Sequence, residues 1–200
     1  RTGHRILERY GMTETGMITS NPFAGERRPG TVGFPLPGTN VRIVADDGTP
    51  CAPGEIGHIQ VQGDNVLPGY WRMPERNKEE FTPDGYFRTG DVGSFSADGY
   101  LSIVGRSKDL IITGCYNVYP KEVELAIDEM PAVQESAVIG VPHRDFGEAV
   151  TAVVVPRAGG EPPTEGEVIA WLKGRLANFK VPKRVHVVKE LPRNAMGKVQ

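Results

Sequence analysis

A segment near the start of the chain combines four residue types that suit a nucleotide bound together with a metal ion. Tyr10, Gly11, Thr13 and Glu14 stand within five positions of the stretch ERYGMTETG. An aromatic ring can stack on a base, glycine lets backbone approach closely, and a threonine hydroxyl can donate to a phosphate oxygen. Glutamate offers the hard oxygen ligand that Mg²⁺ prefers. The competing interpretation of so short a match is a turn that leads into a capped helix.

Two further charged residues could bind the sugar of a nucleotide. Asp91 follows a glycine in the stretch YFRTGD, and a carboxylate can accept charge-assisted hydrogen bonds from both hydroxyls of a ribose. Arg106, in the stretch GRSKDLI, could contact the ribose or the phosphates. The alternatives are an ordinary exposed turn for Asp91 and a solvated linker for the residues after Arg106.

A lysine near the end of the chain could act on a reacting phosphate. Lys198 follows a glycine in the polar stretch PRNAMGK, which the composition marks as a flexible arm. A cation placed over a developing phosphoryl charge contributes several kcal/mol, about 3–4 by analogy with lost oxyanion donors. Taken alone, the segment is typical of a frayed terminus.

The elements that must position the first residues are short strands and turns. NVRIV leads into an Asp47-Gly48 turn, and EIGHIQVQG alternates apolar and polar residues, so the two stretches are expected to pair as a hairpin. Asp84-Gly85 and Asp98-Gly99 mark further turns. Residues 1–107 therefore predict a small antiparallel β-barrel or sandwich with little helix.

From about Leu110 the pattern changes to alternating strands and helices. DLIIT, SAVIGV, VTAVVV and RVHVV are predicted strands. Pro120 begins one predicted helix, with Val123, Ile127 and Met130 on one face. Thr164 with Glu167 forms a capping box before another predicted helix, whose apolar residues at helical spacing are Val168, Ile169, Trp171, Leu172, Leu176 and Phe179. The predicted order is β-α-β-β-α-β, which gives the chain an α+β class. We place the domain boundary at Lys108, with a separate second domain over residues 108–200.

Composition favours small-molecule partners. The 200 residues carry 23 basic and 25 acidic side chains, interspersed along the chain, which argues against nucleic acid. The sequence shows no apolar run long enough for a membrane span and no signal-peptide pattern, so a cytoplasmic location is expected. Cys51 and Cys115 fit neither a metal spacing nor a redox pair and are interpreted as structural.

Four segments, beginning at Tyr10, Tyr86, Gly105 and Pro192, occur in an order that resembles the signature of the adenylate-forming superfamily. That superfamily includes acyl-CoA synthetases, the adenylation domains of nonribosomal peptide synthetases, and firefly luciferase. The resemblance extends over nearly the whole chain. It implies an enzyme that uses ATP, Mg²⁺ and coenzyme A: a carboxylate attacks the α-phosphorus to form an acyl-adenylate, and a thiol then displaces AMP.

The resemblance also assigns roles to individual residues. It implies that Tyr10 stacks on adenine, that Gly11 and Met12 belong to the same nucleotide and acyl pocket segment, and that Thr13 contacts the α-phosphate. Glu14 would bind Mg²⁺.

The remaining roles implied by the resemblance concern the ribose and the second domain. Asp91 and Arg106 would hold the ribose, and Lys198 would bridge the carboxylate and the phosphate during adenylation. Lys108 occupies the hinge position, and the loop at Gly114 would line the pantetheine tunnel during thioester formation.

The amino-acid sequences of several segments, among them LPGYWRMPER and VIGVPHRDFGEAVTAVVV, resemble those of malonyl-CoA synthetases within this superfamily. Malonate or methylmalonate is therefore the expected acid, and Met12 is a candidate wall of its pocket. A cation should hold the distal carboxylate, but nothing in the sequence places Arg9, Arg27 or Arg28 in the pocket, so we interpret them as surface residues. Alternatives are a synthetase for another small or medium-chain acid, a domain that loads a carrier protein, and a noncatalytic nucleotide-sensing module.

The superfamily's Ser/Thr/Gly-rich phosphate loop does not occur in this sequence. We therefore interpret the chain as the C-terminal piece of a longer synthetase. We expect the 200 residues alone to be inactive.

Overall fold

Antiparallel hairpins dominate the first half of the chain. Strand β4 (Thr39–Val44) pairs with β5 (Gly57–Gly63) from Thr39↔Gly63 to Val44↔His58, which confirms the predicted hairpin. In the turn between them, Gly48 has φ +87°, a conformation that glycine adopts without steric cost.

The structure, a computed structural model, describes residue 3 and residues 6–200. Residues 1, 2, 4 and 5, which the sequence analysis assigned to the first domain, lie outside the described residues. The described chain divides between Ser107 and Lys108 into two compact units. A short 3₁₀ turn, Ser107–Asp109, spans that division.

Over its described residues, the first unit contains two antiparallel sheets and one short helix. The smaller sheet has the order β1 (Arg9–Met12), β2 (Gly16–Ser20) and β3 (Phe34–Pro35). The larger sheet has the order β4, β5, β6 (Phe87–Phe95) and β7 (Leu101–Arg106). Helix α1 (Pro74–Glu80) begins with a proline, which suits a first helical position because the missing N–H would have no helical partner there.

Both sheets of the first unit contribute to one hydrophobic core. Ile18 comes from the smaller sheet, whereas Ile43, Ile59, Val61 and Leu101 come from the larger one. A β-bridge between Gly33 and Leu101 joins the segment before β3 to β7. This shared core fixes β1 relative to β6 and β7. The barrel or sandwich form of these sheets stays a prediction.

The second unit combines one mixed sheet with two helices. Its elements are β8 (Ile111–Thr113), β9 (Tyr116–Val118), α2 (Pro120–Asp128), β10 (Val133–His143), β11 (Gly147–Pro156), α3 (Glu165–Lys173) and β12 (Arg184–Val187). The sheet order is β10-β11-β8-β9, and β12 pairs with β11 in parallel. The coarse α+β class, with mainly antiparallel sheets, is confirmed. Strand β9 was not predicted; it has three residues, of which only Val118 is buried.

The two helices of the second unit pack their apolar faces on this sheet. Val123 and Ile127 of α2 join Val168 and Leu172 of α3 in the core, and burial of each such side chain stabilises the unit by about 1.5–3 kcal/mol. The capping box at Thr164 is confirmed: its side chain accepts from the Glu167 N–H, and the Glu167 carboxylate accepts from the Thr164 N–H at 2.8 Å.

Three residues that were expected at helical spacing lie beyond the ends of the helices. Met130 follows α2, while Leu176 and Phe179 follow α3, and all three pack against the same core from turns. The apolar pattern therefore identified core residues correctly but overestimated helix length. Within the part of the chain that the structure describes, no helix has both the length and the apolar character needed to cross a membrane.

Candidate functional site

Three of the predicted site residues meet in the first unit. The Tyr10 hydroxyl on β1 donates to Asp91 Oδ2 on β6 at 2.5 Å, and Arg106 Nε at the end of β7 lies 3.6 Å from Asp91 Oδ1. Asp91 and Arg106 are register partners across the β6–β7 ladder. The Asp91 side chain is 13% exposed and that of Arg106 is 68% exposed. A largely buried carboxylate thus lies between a phenol and an open cation.

The phenol of this cluster is held in its neutral, hydrogen-donating form. Burial, followed by the hydrogen bond to Asp91, raises the pKa of Tyr10 above its ordinary value of 10.0. Its ring also packs against the core of the first unit. Tyr10 therefore fixes one oxygen of Asp91 while the carboxylate keeps its remaining acceptor capacity for a ligand hydroxyl.

The backbone before Asp91 is shaped to present this carboxylate. Thr89 is buried; its hydroxyl donates to the Ile59 carbonyl at 2.9 Å and accepts from the Asp91 N–H at 3.1 Å. Gly90, between them, has φ +75°, where a residue with a Cβ would be strained. The Thr-Gly-Asp sequence therefore forms a turn within β6 that is secured by its own threonine.

The segment around Gly11 forms part of a hairpin, so the alternative of a turn leading into a helix is wrong. A Cβ added to Gly11 would lie 2.3 Å from the carbonyl oxygen of Gly16 on the neighbouring strand. The close backbone approach predicted for Gly11 is therefore made to its own hairpin. Thr13 lies exposed in the turn between β1 and β2, and Met12 ends β1 half-buried.

A tyrosine that the sequence analysis did not single out contacts Glu14. The Tyr70 hydroxyl donates to Glu14 Oε1 at 3.2 Å, and the Leu67 N–H donates to the Glu14 carbonyl at 2.8 Å. The Tyr70 backbone is fixed in turn by Asn77, whose side chain accepts from its N–H and donates to its C=O. The sequence drew attention to Tyr70 only as part of the stretch LPGYWRMPER. Its contact with Glu14 could not be predicted from a local pattern, because the two residues are 56 positions apart.

The residues around Glu14 are compatible with a magnesium ion bound through a substrate. No cluster of three or more His, Cys, Asp or Glu side chains that could hold a metal occurs among residues 3 and 6–200. Mg²⁺, however, is usually held by one or two carboxylates together with substrate phosphates and water, and Glu14 is a partly exposed carboxylate of that kind. Glu14 therefore fits this mode of binding better than a site built from protein ligands alone.

The remaining predicted site residues lie at or beyond the division between the units. Lys108 is exposed in the 3₁₀ turn. Gly114 has φ +63° in the turn between β8 and β9, and its N–H donates to the Phe146 carbonyl at 2.7 Å. Cys115 follows it as an exposed thiol.

Lys198 lies in a closed hairpin, although the sequence predicted a flexible arm. Arg193 and Val199 form a β-bridge, and the Asn194 side chain accepts from the N–H groups of both Met196 and Lys198 at 3.0 Å. Gly197, with φ +78°, completes the turn. We call residues 192–199 the lysine hairpin.

A charged pair anchors the lysine hairpin to the sheet of the second unit. Arg193 forms an ion pair with Glu135 on β10 and also donates to the Gly197 carbonyl. The Lys198 side chain is exposed, and the structure shows no hydrogen bond or ion pair for it within residues 6–200. The backbone of this hairpin is therefore fixed while its cation is uncommitted.

The three arginines considered for a distal carboxylate differ in their surroundings. Arg28 donates to both oxygens of Asp98 and stacks 4.0 Å over the Tyr100 ring, so its guanidinium is engaged. Arg27 donates to backbone carbonyls of its own loop. Arg9, in contrast, lines an open depression together with Met12.

Two sequence models of one enzyme family match the chain. The model described as AMP-binding enzyme matches residues 1–71, and that described as AMP-binding enzyme C-terminal domain matches residues 122–198. The chain belongs to the AMP-binding enzyme family. Tyr10 to Glu14 lie in the first matched range and Lys198 ends the second, whereas Asp91 and Arg106 lie between the two.

Relatives within the AMP-binding enzyme family include named CoA ligases. The chain is 44% identical to a malonate–CoA ligase of Arabidopsis thaliana and 42% identical to a long-chain-fatty-acid–CoA ligase of Bacillus subtilis, each match covering 99% of this chain. It covers 34% and 35% of those proteins, about a third of their length. ATP-bound MatB from Rhodopseudomonas palustris shows 58% identity and a TM-score of 0.96 over 100% of this chain and 40% of that one.

Proposed function

We propose that the chain is part of an ATP-dependent acid–thiol ligase that joins malonate or methylmalonate to coenzyme A. The reaction would proceed through an acyl-adenylate and release pyrophosphate and AMP. The observation that carries this proposal is the Asp91 carboxylate, held between Tyr10 and Arg106 on paired strands. Membership of the AMP-binding enzyme family and the 44% identity to a malonate–CoA ligase support it.

Nucleotide binding is assigned to the first unit. Asp91 accepts hydrogen bonds from the ribose hydroxyls, and the open guanidinium of Arg106 contacts the ribose beside it. The Tyr10 ring provides a surface for adenine, and the Thr13 hydroxyl donates to the α-phosphate. Because strand pairing already holds Asp91 and Arg106 together, nucleotide binding loses little conformational entropy in bringing these two residues into place.

Adenylation is assigned to the lysine hairpin together with Glu14. A carboxylate oxygen of the acid attacks the α-phosphorus, and the bond to pyrophosphate breaks. Lys198 lies beside the attacking carboxylate and the phosphate, where its charge offsets the negative charge that develops. Glu14 would hold Mg²⁺, which supplies charge neutralisation at the phosphates.

Thioester formation is assigned to a second arrangement of the same units. The coenzyme A sulfur attacks the acyl carbon, and AMP leaves with the electrons of the broken acyl–phosphate bond. The Gly114 turn lines the passage for pantetheine, since its exposed backbone carries no side chain at that position. Lys108, in the short 3₁₀ turn, is the hinge between the two arrangements. Replacing Lys108 with proline should slow turnover, and unchanged turnover would contradict the hinge assignment.

The proposal includes the architecture expected from the sequence. The first unit would be the C-terminal part of a large ATP- and acyl-binding domain with a small barrel or sandwich, and the second unit would be a mobile lid. A cytoplasmic location belongs to the same proposal. Coenzyme A and a small carboxylic acid would be the partners.

The identity of the acid is the part of the proposal that most needs an experiment. A long-chain-fatty-acid–CoA ligase is nearly as similar to the chain as the malonate–CoA ligase. We would measure pyrophosphate release by the full-length protein with malonate, methylmalonate, acetate and a medium-chain fatty acid. Malonate or methylmalonate should be preferred at least tenfold over the others. Preference for the fatty acid would favour the alternative of a synthetase for a longer acid.

The identity of the acceptor thiol distinguishes the proposed ligase from a domain that loads a carrier protein. A domain that loads a carrier protein would transfer the acyl group to a phosphopantetheinyl carrier instead of free coenzyme A. Thioester formation with free coenzyme A, measured by the loss of free thiol, supports the proposal. Transfer only to a carrier would contradict it.

A further inference from the structure

A serine at the end of the first unit is tied to the backbone beside Asp91. The Ser107 hydroxyl donates to the Gly90 carbonyl at 3.0 Å. The β6–β7 ladder ends at the pair Asp91↔Arg106, so this bond lies one residue beyond the last register pair. A side chain therefore continues the connection between the two strands after their backbone pairing has stopped.

The acceptor of this bond belongs to the residue that most directly sets the position of Asp91. Gly90 has φ +75°, and a Cβ added there would meet nothing within 4 Å. The space on the Cβ side of Gly90 is therefore open. Thr89 fixes the Asp91 N–H on one side, and Ser107 fixes the Gly90 carbonyl on the other. Without the serine hydroxyl, the Gly90–Asp91 peptide would lose its hold at the carbonyl and keep only the bond from its N–H to Thr89 among these two.

The donor of the bond belongs to the turn that contains the proposed hinge. Ser107 begins the 3₁₀ turn Ser107–Asp109 and is the last residue of the first unit. Arg106, immediately before it, faces the Asp91 carboxylate. Two consecutive residues thus contact the Gly90–Asp91 segment, one through a charge and one through a hydroxyl, directly before Lys108.

We propose that Ser107 is a positioning residue that holds the Gly90 carbonyl, and through it the Asp91 carboxylate, in the orientation that accepts hydrogen bonds from the ribose hydroxyls. The inference rests on the ribose-binding part of the proposed function. Because the Ser107–Gly90 bond is exposed to solvent, its loss should weaken nucleotide binding by about three- to fivefold.

The test is a comparison of two nucleotides with matched variants of the full-length protein. Dissociation constants would be measured by calorimetry for AMP and for 2′,3′-dideoxy-AMP, which lacks both ribose hydroxyls. Ser107→Ala removes the hydroxyl, and Ser107→Thr retains one. Ser102→Ala is the control, because Ser102 lies on the same strand and its side chain makes no hydrogen bond within the described residues.

Ser107→Ala should weaken AMP binding about three- to fivefold and leave dideoxy-AMP binding within about twofold. Ser107→Thr and Ser102→Ala should bind both nucleotides within about twofold of the unmodified protein. Equal weakening for both nucleotides, or no weakening of AMP binding, would overturn the positioning role.

Two results would separate this inference from the proposed function. If the unmodified protein binds AMP and dideoxy-AMP equally, the ribose assignment of Asp91 is wrong, and the inference falls with it. If the protein distinguishes the two nucleotides and Ser107→Ala reduces that distinction, the inference stands. It then stands even if no carboxylic acid supports pyrophosphate release, a result that would refute only the ligase activity.

Discussion

Tyr10, Asp91 and Arg106 of the first unit form a cluster, called the ribose cluster here after its proposed ligand, that is built in the opposite way to the lysine hairpin of the second unit. Tyr10 and Asp91 lie 81 positions apart in sequence, and two sheets with a common core bring them together. The lysine hairpin closes over the seven residues from Arg193 to Val199 through its own Asn194 and Gly197. In the cluster the functional side chains bind one another, whereas the Lys198 side chain is left uncommitted.

This difference matches the two tasks proposed for the regions. Asp91 is proposed to bind the ribose in both half-reactions, and a carboxylate that is already held in place binds its ligand more tightly because less entropy is lost on binding. A cation that acts in one half-reaction must reach the site and leave it, so partners that compete for it would be a disadvantage. The lysine hairpin therefore combines a fixed backbone with a free cation.

The largest effect is expected for Lys198→Ala. Loss of a positioned cation should reduce adenylation by roughly 100- to 1000-fold, while conversion of a supplied acyl-adenylate to the thioester should stay within about threefold. The measurements are acid-dependent pyrophosphate release and thioester formation by the full-length protein. An equal loss in both steps would mean that Lys198 serves folding or general binding.

A smaller effect is expected for Asp91→Asn. The amide retains the shape of the carboxylate but removes the charged acceptor, and a hydrogen bond to a charged group is worth about 1.5–3 kcal/mol. The KM for ATP should therefore rise roughly 10- to 100-fold. Asp98→Asn is the matched control, since Asp98 pairs with Arg28 in the same unit. If both variants bind ATP alike, the cluster does not bind the ribose.

The effect of loosening the lysine hairpin should be smaller still. Asn194→Ala removes the acceptor for two backbone N–H groups, so adenylation should fall about tenfold while the unfolding temperature changes by less than about 2 °C. Asn194→Asp keeps an acceptor oxygen and should retain most of the activity. A fall in adenylation for Asn194→Asp as large as that for Asn194→Ala would show that the turn does not depend on this acceptor.

The same contrast explains what the sequence could predict. Asn194 and Gly197 are residues that favour turns, and the bonds they form are local, so a turn at this position could have been predicted from the sequence. The polar composition of the segment led instead to the prediction of a flexible arm, which was wrong. No periodicity links Tyr10 to Asp91 or Tyr70 to Glu14, because their contacts depend on how whole sheets pack. Residue types alone suggested that Tyr10, Asp91 and Arg106 contact a nucleotide, and the family resemblance assigned them to one site, but neither anticipated the contacts among the three side chains.

Secondary structure shows the same limit. The capping box at Thr164 fixed the start of α3 correctly, since both of its hydrogen bonds are local. The ends of the helices were overestimated because Met130 and Phe179 pack on the core from turns. Strand β9 was missed because three residues with one buried side chain are too few to show alternation.

The smallest effect tests the phenol that holds Asp91. Burial and the hydrogen bond to Asp91 raise the pKa of Tyr10, so between its ordinary pKa of 10.0 and its folded pKa the folded state keeps a proton that the unfolded state loses. The contribution of the Tyr10 hydroxyl to stability is therefore complete below about pH 10 and decreases as the pH rises above it. Tyr10→Phe has no such group to titrate.

The unfolding temperature of both proteins, measured from pH 8 to pH 11, gives the comparison. At pH 8 the unmodified protein should be more stable than Tyr10→Phe by about 1–3 kcal/mol, because the variant leaves an oxygen of Asp91 without its donor. Above pH 10 the difference should shrink, since other titrating groups are common to both proteins and cancel. Parallel curves would mean that Tyr10 does not hold Asp91 through its hydroxyl, and the prearranged ribose cluster would lose one of its two supports.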